Sequence, residues 1–194
     1  MNDKKLKIKD LVTIGVFAVI YFAGMFAIGM IGVVPILFLT LPAILGIVLG
    51  VLVMLFMAKV QKPWALFIFG MITPTIMFAM GHTYVVFVHA IVVMLIAEFI
   101  RRGGNYKSFK SNALANGVFT LWMCGSLMQM LLVKDKYLEM IIPMMGQEYA
   151  DALERLITYP NMAIVYLSAF VAGIIGAYFG KAMLKKHFEK AGIV

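Results

Sequence analysis

Apolar stretches of membrane-crossing length alternate along the chain with short clusters of basic and turn-forming residues. A helix needs about 20 apolar residues to cross the hydrocarbon layer of a bilayer. Six stretches qualify, at roughly Leu11–Met30, Ile31–Ala58, Pro63–Met80, His82–Ile100, Ala113–Val133 and Asn161–Met183. The second exceeds the length of one straight span, and Pro35 and Pro42 stand where they would begin or kink it. Pro63 suits the first turn of the third stretch, and Thr73-Pro74-Thr75 predicts a bend or opening in its second half. Between the fifth and sixth stretches lies a polar loop from Lys134 to Thr158. Within it Tyr149, Ala152, Leu153, Leu156 and Ile157 share one helical face, while Glu148, Asp151, Glu154 and Arg155 fall on the rest. This pattern predicts a short amphipathic helix, lying on the bilayer surface or folded over the bundle as a lid. The expected fold is an all-α integral membrane protein. It has six transmembrane helices in one domain over residues 1–194, with the amphipathic helix in the outer loop between helices 5 and 6.

Composition agrees with a lipid environment. Apolar residues make up 63% of the chain and charged ones 13%, with a mean hydropathy of +0.99. Soluble domains are closer to half apolar and a quarter charged. The first stretch follows a basic head, as in a signal peptide, but its length and the further spans behind it make it a retained helix.

The distribution of charge then sets an orientation. Six crossings put both termini and the loops near 59–62 and 101–112 on one side, with 14 of the 17 Lys and Arg residues. Lys134, Lys136 and Arg155 remain on the other. The positive-inside rule places both termini in the cytoplasm; five crossings would split the basic ends across the membrane. A net charge of +8 would suggest nucleic acid in a soluble protein. Here it serves topology and anionic headgroups, with no nucleic-acid partner expected. Cys124 stands alone in an apolar run, which excludes an internal disulfide and a cysteine metal site.

Signatures of catalysis are missing: there is no phosphate-binding loop, no His-Glu-x-x-His and no Gly-x-Ser-x-Gly. Glu98 is the only acidic residue inside an expected span, three and four residues before Arg101 and Arg102, which reads as a local ion pair or as a proton site. The chain is therefore expected to be no enzyme and to carry no energy source of its own. His82 and His89, seven residues apart, share a helix face, either as a site or as cross-bundle hydrogen-bond donors. Tyr84, Gln129, Gln147, Tyr149 and Asn161 are expected at the same outer level, with Thr73, Thr75 and Tyr159. Their convergence suggests a pocket open to the outside, although polar rims also anchor helices at the interface. The candidate ligand contacts are His82, Tyr84, His89, Gln129, Gln147, Tyr149 and Asn161. Asn112, Asn116, Thr120 and Cys124, four residues apart, read as a helix-packing stripe. Gly46 with Gly50, and Gly176 with Gly180, are small-residue pairs that permit close helix approach, within the bundle or to another subunit. The 17 methionines read as apolar filler, or as a wall that with His and Tyr could hold haem.

Several segments carry a family resemblance. Lys7-Ile8-Lys9-Asp10-Leu11-Val12 with Gly15-Val16-Phe17 resembles the opening of the Trep_Strep family of bacterial membrane proteins. Ala97-Glu98-Phe99-Ile100, Gly104-Asn105-Tyr106-Lys107-Ser108, Gly146-Gln147-Glu148-Tyr149 and Lys185-Lys186-His187-Phe188-Glu189-Lys190-Ala191-Gly192 extend it over the whole chain. The family is associated with the substrate-binding S components of energy-coupling factor (ECF) transporters. The resemblance implies a six-helix protein of the bacterial cell membrane that captures a vitamin or other micronutrient from outside. It implies partnership with a membrane coupling subunit and two ABC ATPases, and no cofactor of its own. S components dock the coupling subunit through an alanine pair on the first span, and the positions here are Gly15 and Ala18, then Ala23 and Ala27. The rival readings are a haem- or tetrapyrrole-specific S component, a passive channel, and a membrane scaffold subunit.

Overall fold

A computed structural model describes residues 5–185. Every regular element among them is helical: α1 Ile8–Gly29, a 3-10 turn Met30–Val33, α2 Pro35–Val48, α3 Gly50–Lys59, α4 Ala65–Ala79 and α5 Tyr84–Gly103. There follow α6 Phe109–Thr120, a 3-10 turn Leu121–Met123, α7 Cys124–Leu132, α8 Lys134–Met145, α9 Gln147–Leu156 and α10 Tyr159–Met183. The last residues of the C-terminal motif, from Lys186 on, lie outside the described residues.

Five segments are long and apolar enough to cross a membrane: Ile8–Val33, Pro35–Lys59, Tyr84–Gly103, Phe109–Leu132 and Tyr159–Met183. The third expected stretch forms α4, which has only 15 residues and a length of about 22 Å. Pro63 does not open this helix; it precedes Trp64, whose left-handed backbone (φ 66°) forms the N-cap. The helix continues through Pro74, where Thr75 Oγ1 donates to the Met71 carbonyl at 2.6 Å. Pro35 occupies the first turn of α2, as expected, and Pro42 is accommodated inside it. The fifth expected stretch is not one helix, because the 3-10 turn Leu121–Met123 divides it into α6 and α7.

Polar contacts organise one end of the bundle, where most of the described basic residues gather. Lys62 pairs with Asp10 at 2.7 Å and donates to the Lys5 carbonyl. Arg101, 0% exposed, donates through Nε to Asn112 Oδ1 at 3.0 Å and through Nη2 to the carbonyls of Met57 and Val60 at 3.2 Å each. It thereby caps the C-terminal end of α3. Glu98 Oε1 accepts the Trp64 N–H at 2.6 Å and so caps the start of α4. Glu98 makes no direct ion-pair contact with Arg101 or Arg102; Glu98 and Arg101 instead hold the two ends of the α3–α4 loop.

The centre of the bundle is a contact of backbones. A Cβ on Gly176 would lie 2.1 Å from the Gly46 carbonyl oxygen, and one on Gly46 would lie 3.0 Å from the Gly173 nitrogen. A Cβ on Gly50 would meet Gly176 Cα at 3.2 Å. Asn116 of α6 donates to the Gly173 carbonyl at 2.7 Å, and Thr120 donates to the Asn116 carbonyl at 2.9 Å. Both small-residue pairs therefore serve the bundle itself, and the polar stripe of α6 is its hydrogen-bonding counterpart. Beside it Phe56, Phe69 and Phe119 stack, Tyr21 meets Phe69 and Phe119 edge-on, and Trp122 Nε1 donates to the Tyr21 hydroxyl at 2.9 Å.

Replacing Gly176 by valine should destabilise the bundle by about 3 kcal/mol, the upper end for overpacking. Gly15→Ala, with nothing within 4 Å of the added methyl, should stay within about 0.5 kcal/mol of the parent. Thermal unfolding of the two purified variants in detergent checks both.

Candidate functional site

A cavity of about 290 Å³ lies at the end of the bundle opposite the basic residues. Phe22, Met25 and Phe26 of α1 form one wall, and Met30, Gly32 and Val33 of the first 3-10 turn continue it. Phe38 and Leu41 of α2, Met77 and Met80 at the end of α4, and Met123, Ser126 and Gln129 complete the sides. Tyr137, Met140, Ile141 and Met145 of α8, with Tyr149 of α9, form the cover.

The cover occupies the expected outer loop, which holds two helices rather than one. Gly146 (φ 87°) joins them, in a backbone conformation that glycine adopts without a steric penalty. Tyr149, Ala150, Leu153 and Ile157 are buried, so the amphipathic helix lies over the bundle end. Tyr149 donates its hydroxyl proton to the Gly32 carbonyl at 2.6 Å, fastening the cover to the turn after α1. A Lys134–Glu154 ion pair ties α8 to α9.

Chemically the lining is soft, apolar and uncharged. Seven methionines face it, and among the described residues no Asp, Glu, Lys or Arg does. Methionine is flexible and polarizable, which lets one wall fit several apolar shapes. Two of the polar groups are largely committed to structure. Gln129 Oε1 accepts the Thr83 N–H and Nε2 donates to the Ser126 carbonyl, both at 3.0 Å, while the Tyr149 hydroxyl is held by Gly32. His82 differs, because its Nδ1 is buried with no hydrogen-bond partner. Burial also holds the imidazole pKa below its ordinary value, so the ring is neutral at physiological pH. A neutral imidazole with a spare nitrogen can give or take one hydrogen bond with a ligand.

Of the seven expected contacts, His82, Gln129 and Tyr149 line the cavity; Tyr84, His89, Gln147 and Asn161 do not. Tyr84 is exposed at the start of α5. Gln147 is exposed and bonds Asp151. Asn161 Nδ2 donates to the Leu156 carbonyl at 2.7 Å and shapes the entry to α10. His89 is a cross-bundle tie: its Nε2 meets the Tyr166 hydroxyl of α10 at 2.7 Å, and its ring packs where a Cβ on Gly125 would lie 2.9 Å from Nδ1. The wall from α1 lies outside the expected contacts, and the expected closing loop contributes α8 as well as the amphipathic α9 to the cover. Tyr137, Met140, Ile141 and Met145 recur at helical spacing, a readable signal within the loop. For the expected docking positions, Ala18 is buried inside the bundle and cannot dock another protein. Ala23 and Ala27 are exposed, and Gly15 has open space beside it.

The family model described as a hypothetical bacterial integral membrane protein (Trep_Strep) matches residues 8–190. No curated protein and no solved structure matches the chain.

Tyr149→Phe removes the bond between cover and turn while keeping the ring. The lost hydrogen bond is worth about 1 kcal/mol, or roughly fivefold in local opening. Hydrogen exchange followed by mass spectrometry should show faster exchange over residues 146–157, with α5 and α10 unchanged.

Proposed function

We infer that this chain, which belongs to the Trep_Strep family of bacterial integral membrane proteins, is the substrate-capture S component of an energy-coupling factor importer. The observation that carries the reading is the covered apolar cavity at the end of the bundle opposite the basic residues. A multi-pass protein with a binding chamber at one end and no nucleotide-binding motif suits a subunit that captures a ligand and leaves energy supply to partners. Those partners are a membrane coupling subunit and two ABC ATPases.

In this reading the chain crosses the membrane six times. α4 starts beside Glu98 at the basic end and finishes with Met77 and Met80 in the cavity wall, so it runs between the two ends despite its 15 residues. Local thinning of the bilayer accommodates a short span at modest cost. The basic end then lies in the cytoplasm with both termini, and the cavity opens outside.

The ligand is an uncharged, largely apolar micronutrient. A charged one would enter a wall with no opposite charge and lose its hydration without compensation. The volume of about 290 Å³ sits at the small end for ligand pockets. His82 supplies the orienting hydrogen bond, and the methionines adapt to the ligand's outline. Haem is the second reading, favoured by Met, His82, Tyr137 and Tyr149 in the lining, all residue types that ligate its iron. The same lining offers no cation for its carboxylates, so the smaller neutral ligand is preferred. Closure of α8 and α9 over the ligand biases the protein toward its docking-competent state, by differential affinity of the ligand for the two states. Docking uses the exposed face of α1 that carries Gly15, Ala23 and Ala27.

Native mass spectrometry of the detergent-purified protein from rich medium should reveal a bound small molecule, without a Soret band. Met140→Trp, which fills the cavity, should weaken its retention at least about tenfold, the scale of one displaced apolar group. A parent protein that carries no ligand and captures neither coupling subunit nor ATPase would overturn the proposal.

A further inference from the structure

A second cavity, of about 600 Å³, opens at the basic end among the α3–α4 loop, the end of α5 and the turn after it. Glu98 lines it at 3% exposure. One carboxylate oxygen accepts the Trp64 N–H, but Oε2 is buried and has no hydrogen-bond partner. The nearby Arg101 gives Nε to Asn112 and Nη2 to the carbonyls of Met57 and Val60, and its buried Nη1 makes no hydrogen bond to Oε2. Tyr106, on the cavity wall, is a neutral neighbour of the carboxylate: burial first, then the Glu98 charge and a side-chain hydrogen bond to Glu98, hold its phenol pKa above the usual value. A carboxylate oxygen buried in this way calls for an N–H donor, and a cationic one stabilises it most.

Two cations, Arg102 and Lys107, line the same cavity and are exposed. The site thus offers a buried anion and two accessible cations, the complement of a zwitterion. Its flank is apolar. Trp64 and Phe99 are 45% and 54% exposed at the cavity, and Val88, Val92 and Ile96 continue the exposed stripe along α5 toward the middle of the bundle. Such a stripe suits an acyl chain, and an exposed Trp suits the headgroup level of a bilayer.

We propose that this cavity binds the headgroup of a phosphatidylethanolamine lipid, with the primary ammonium on Glu98 Oε2 and the phosphate at Arg102 and Lys107. Choline lipids fit less well because their quaternary nitrogen has no N–H to give to Oε2. The acyl chains lie along Trp64, Phe99 and the α5 stripe, which ties the site to lipid rather than to free phosphoethanolamine. This inference rests on the chain's place in a membrane and is independent of any ligand at the opposite end.

The test is native mass spectrometry of the purified protein titrated with phosphatidylethanolamine and phosphatidylcholine of identical acyl chains. One phosphatidylethanolamine should be retained about tenfold more strongly, the scale of one hydrogen bond to a charged group. Glu98→Gln should bring the two lipids level, and the double variant Arg102→Ala with Lys107→Ala should weaken both. Free phosphoethanolamine should not displace the lipid; displacement would show that the headgroup alone binds and would overturn the lipid assignment. Equal retention of the two lipids by the parent protein overturns the proposal whether or not Glu98→Gln folds. Loss of preference only in variants of the opposite cavity, such as Met140→Trp, would overturn it as well.

Discussion

The bare backbone contact between α10 and the α2–α3 segment is the constraint from which the rest of the structure follows. Lipid chains are as apolar as leucine, so burial of apolar surface does little to hold helices together in a membrane; close packing and hydrogen bonds must do it. Gly176 seated against the Gly46 carbonyl, with Gly173 and Gly50 beside it, leaves no room for any side chain at those positions. The Asn116 amide reaches the Gly173 carbonyl only because the helices are this close. Once α2, α6 and α10 are locked at this point, their continuations toward the cavity have fixed starting points. The start of α2 carries Phe38 and Leu41 into the wall, and the continuation of α6 brings in Met123, Ser126 and Gln129.

The two ends of the bundle use polar chemistry in opposite ways. At the basic end, Arg101 and Glu98 spend most of their hydrogen bonds on the ends of α3 and α4, which sets a rigid floor. At the other end, most of the lining is methionine and aromatic, with few directional contacts. A soft lining over a stiff base lets the chamber adapt without disturbing the bundle. The Tyr149–Gly32 hydrogen bond and the packing of Leu153 and Ile157 hold the cover to the bundle, the Lys134–Glu154 pair joins its two helices, and it turns at Gly146.

The long apolar helices were legible in the sequence because each carries a continuous hydrophobic run that only a lipid-facing or bundle-core helix explains. The glycine pairs were legible as packing elements, although sequence left open whether they met each other or another subunit; Gly46 and Gly176 meet each other. Helix α8 was hidden because Asp135, Lys136 and Glu139 give the segment a loop-like polarity, and burial of its apolar positions depends on the cavity below. His82, Gln129 and Tyr149 were legible through their polar groups, but the methionine wall was not, since methionine has the same hydropathy whether it faces lipid, core or ligand. His89 could not be placed from sequence, because its partner Tyr166 lies 77 residues away on a different helix.

α1 connects the chamber to the protein's outer surface. Its buried residues, Ile14, Phe17, Ala18, Tyr21 and Met25, form a single stripe, and Val12, Val16, Val19, Ala23 and Ala27 remain exposed. Phe22, Met25 and Phe26 of the same helix form a wall of the cavity. A ligand that presses on that wall acts on a helix with one face free, and the 3-10 turn that follows is the segment to which Tyr149 fastens the cover. Under the proposed function, closing of the cover would be coupled to seating of α1 through three residues of backbone, Met30 to Gly32. Coupling of this kind is reciprocal: if ligand favours one seating of α1, a partner that recognises that seating must raise the affinity for ligand by the same factor. A docking face on α1 would need no further relay to sense whether the chamber is filled, which is the property an importer that engages its energy source only when loaded requires.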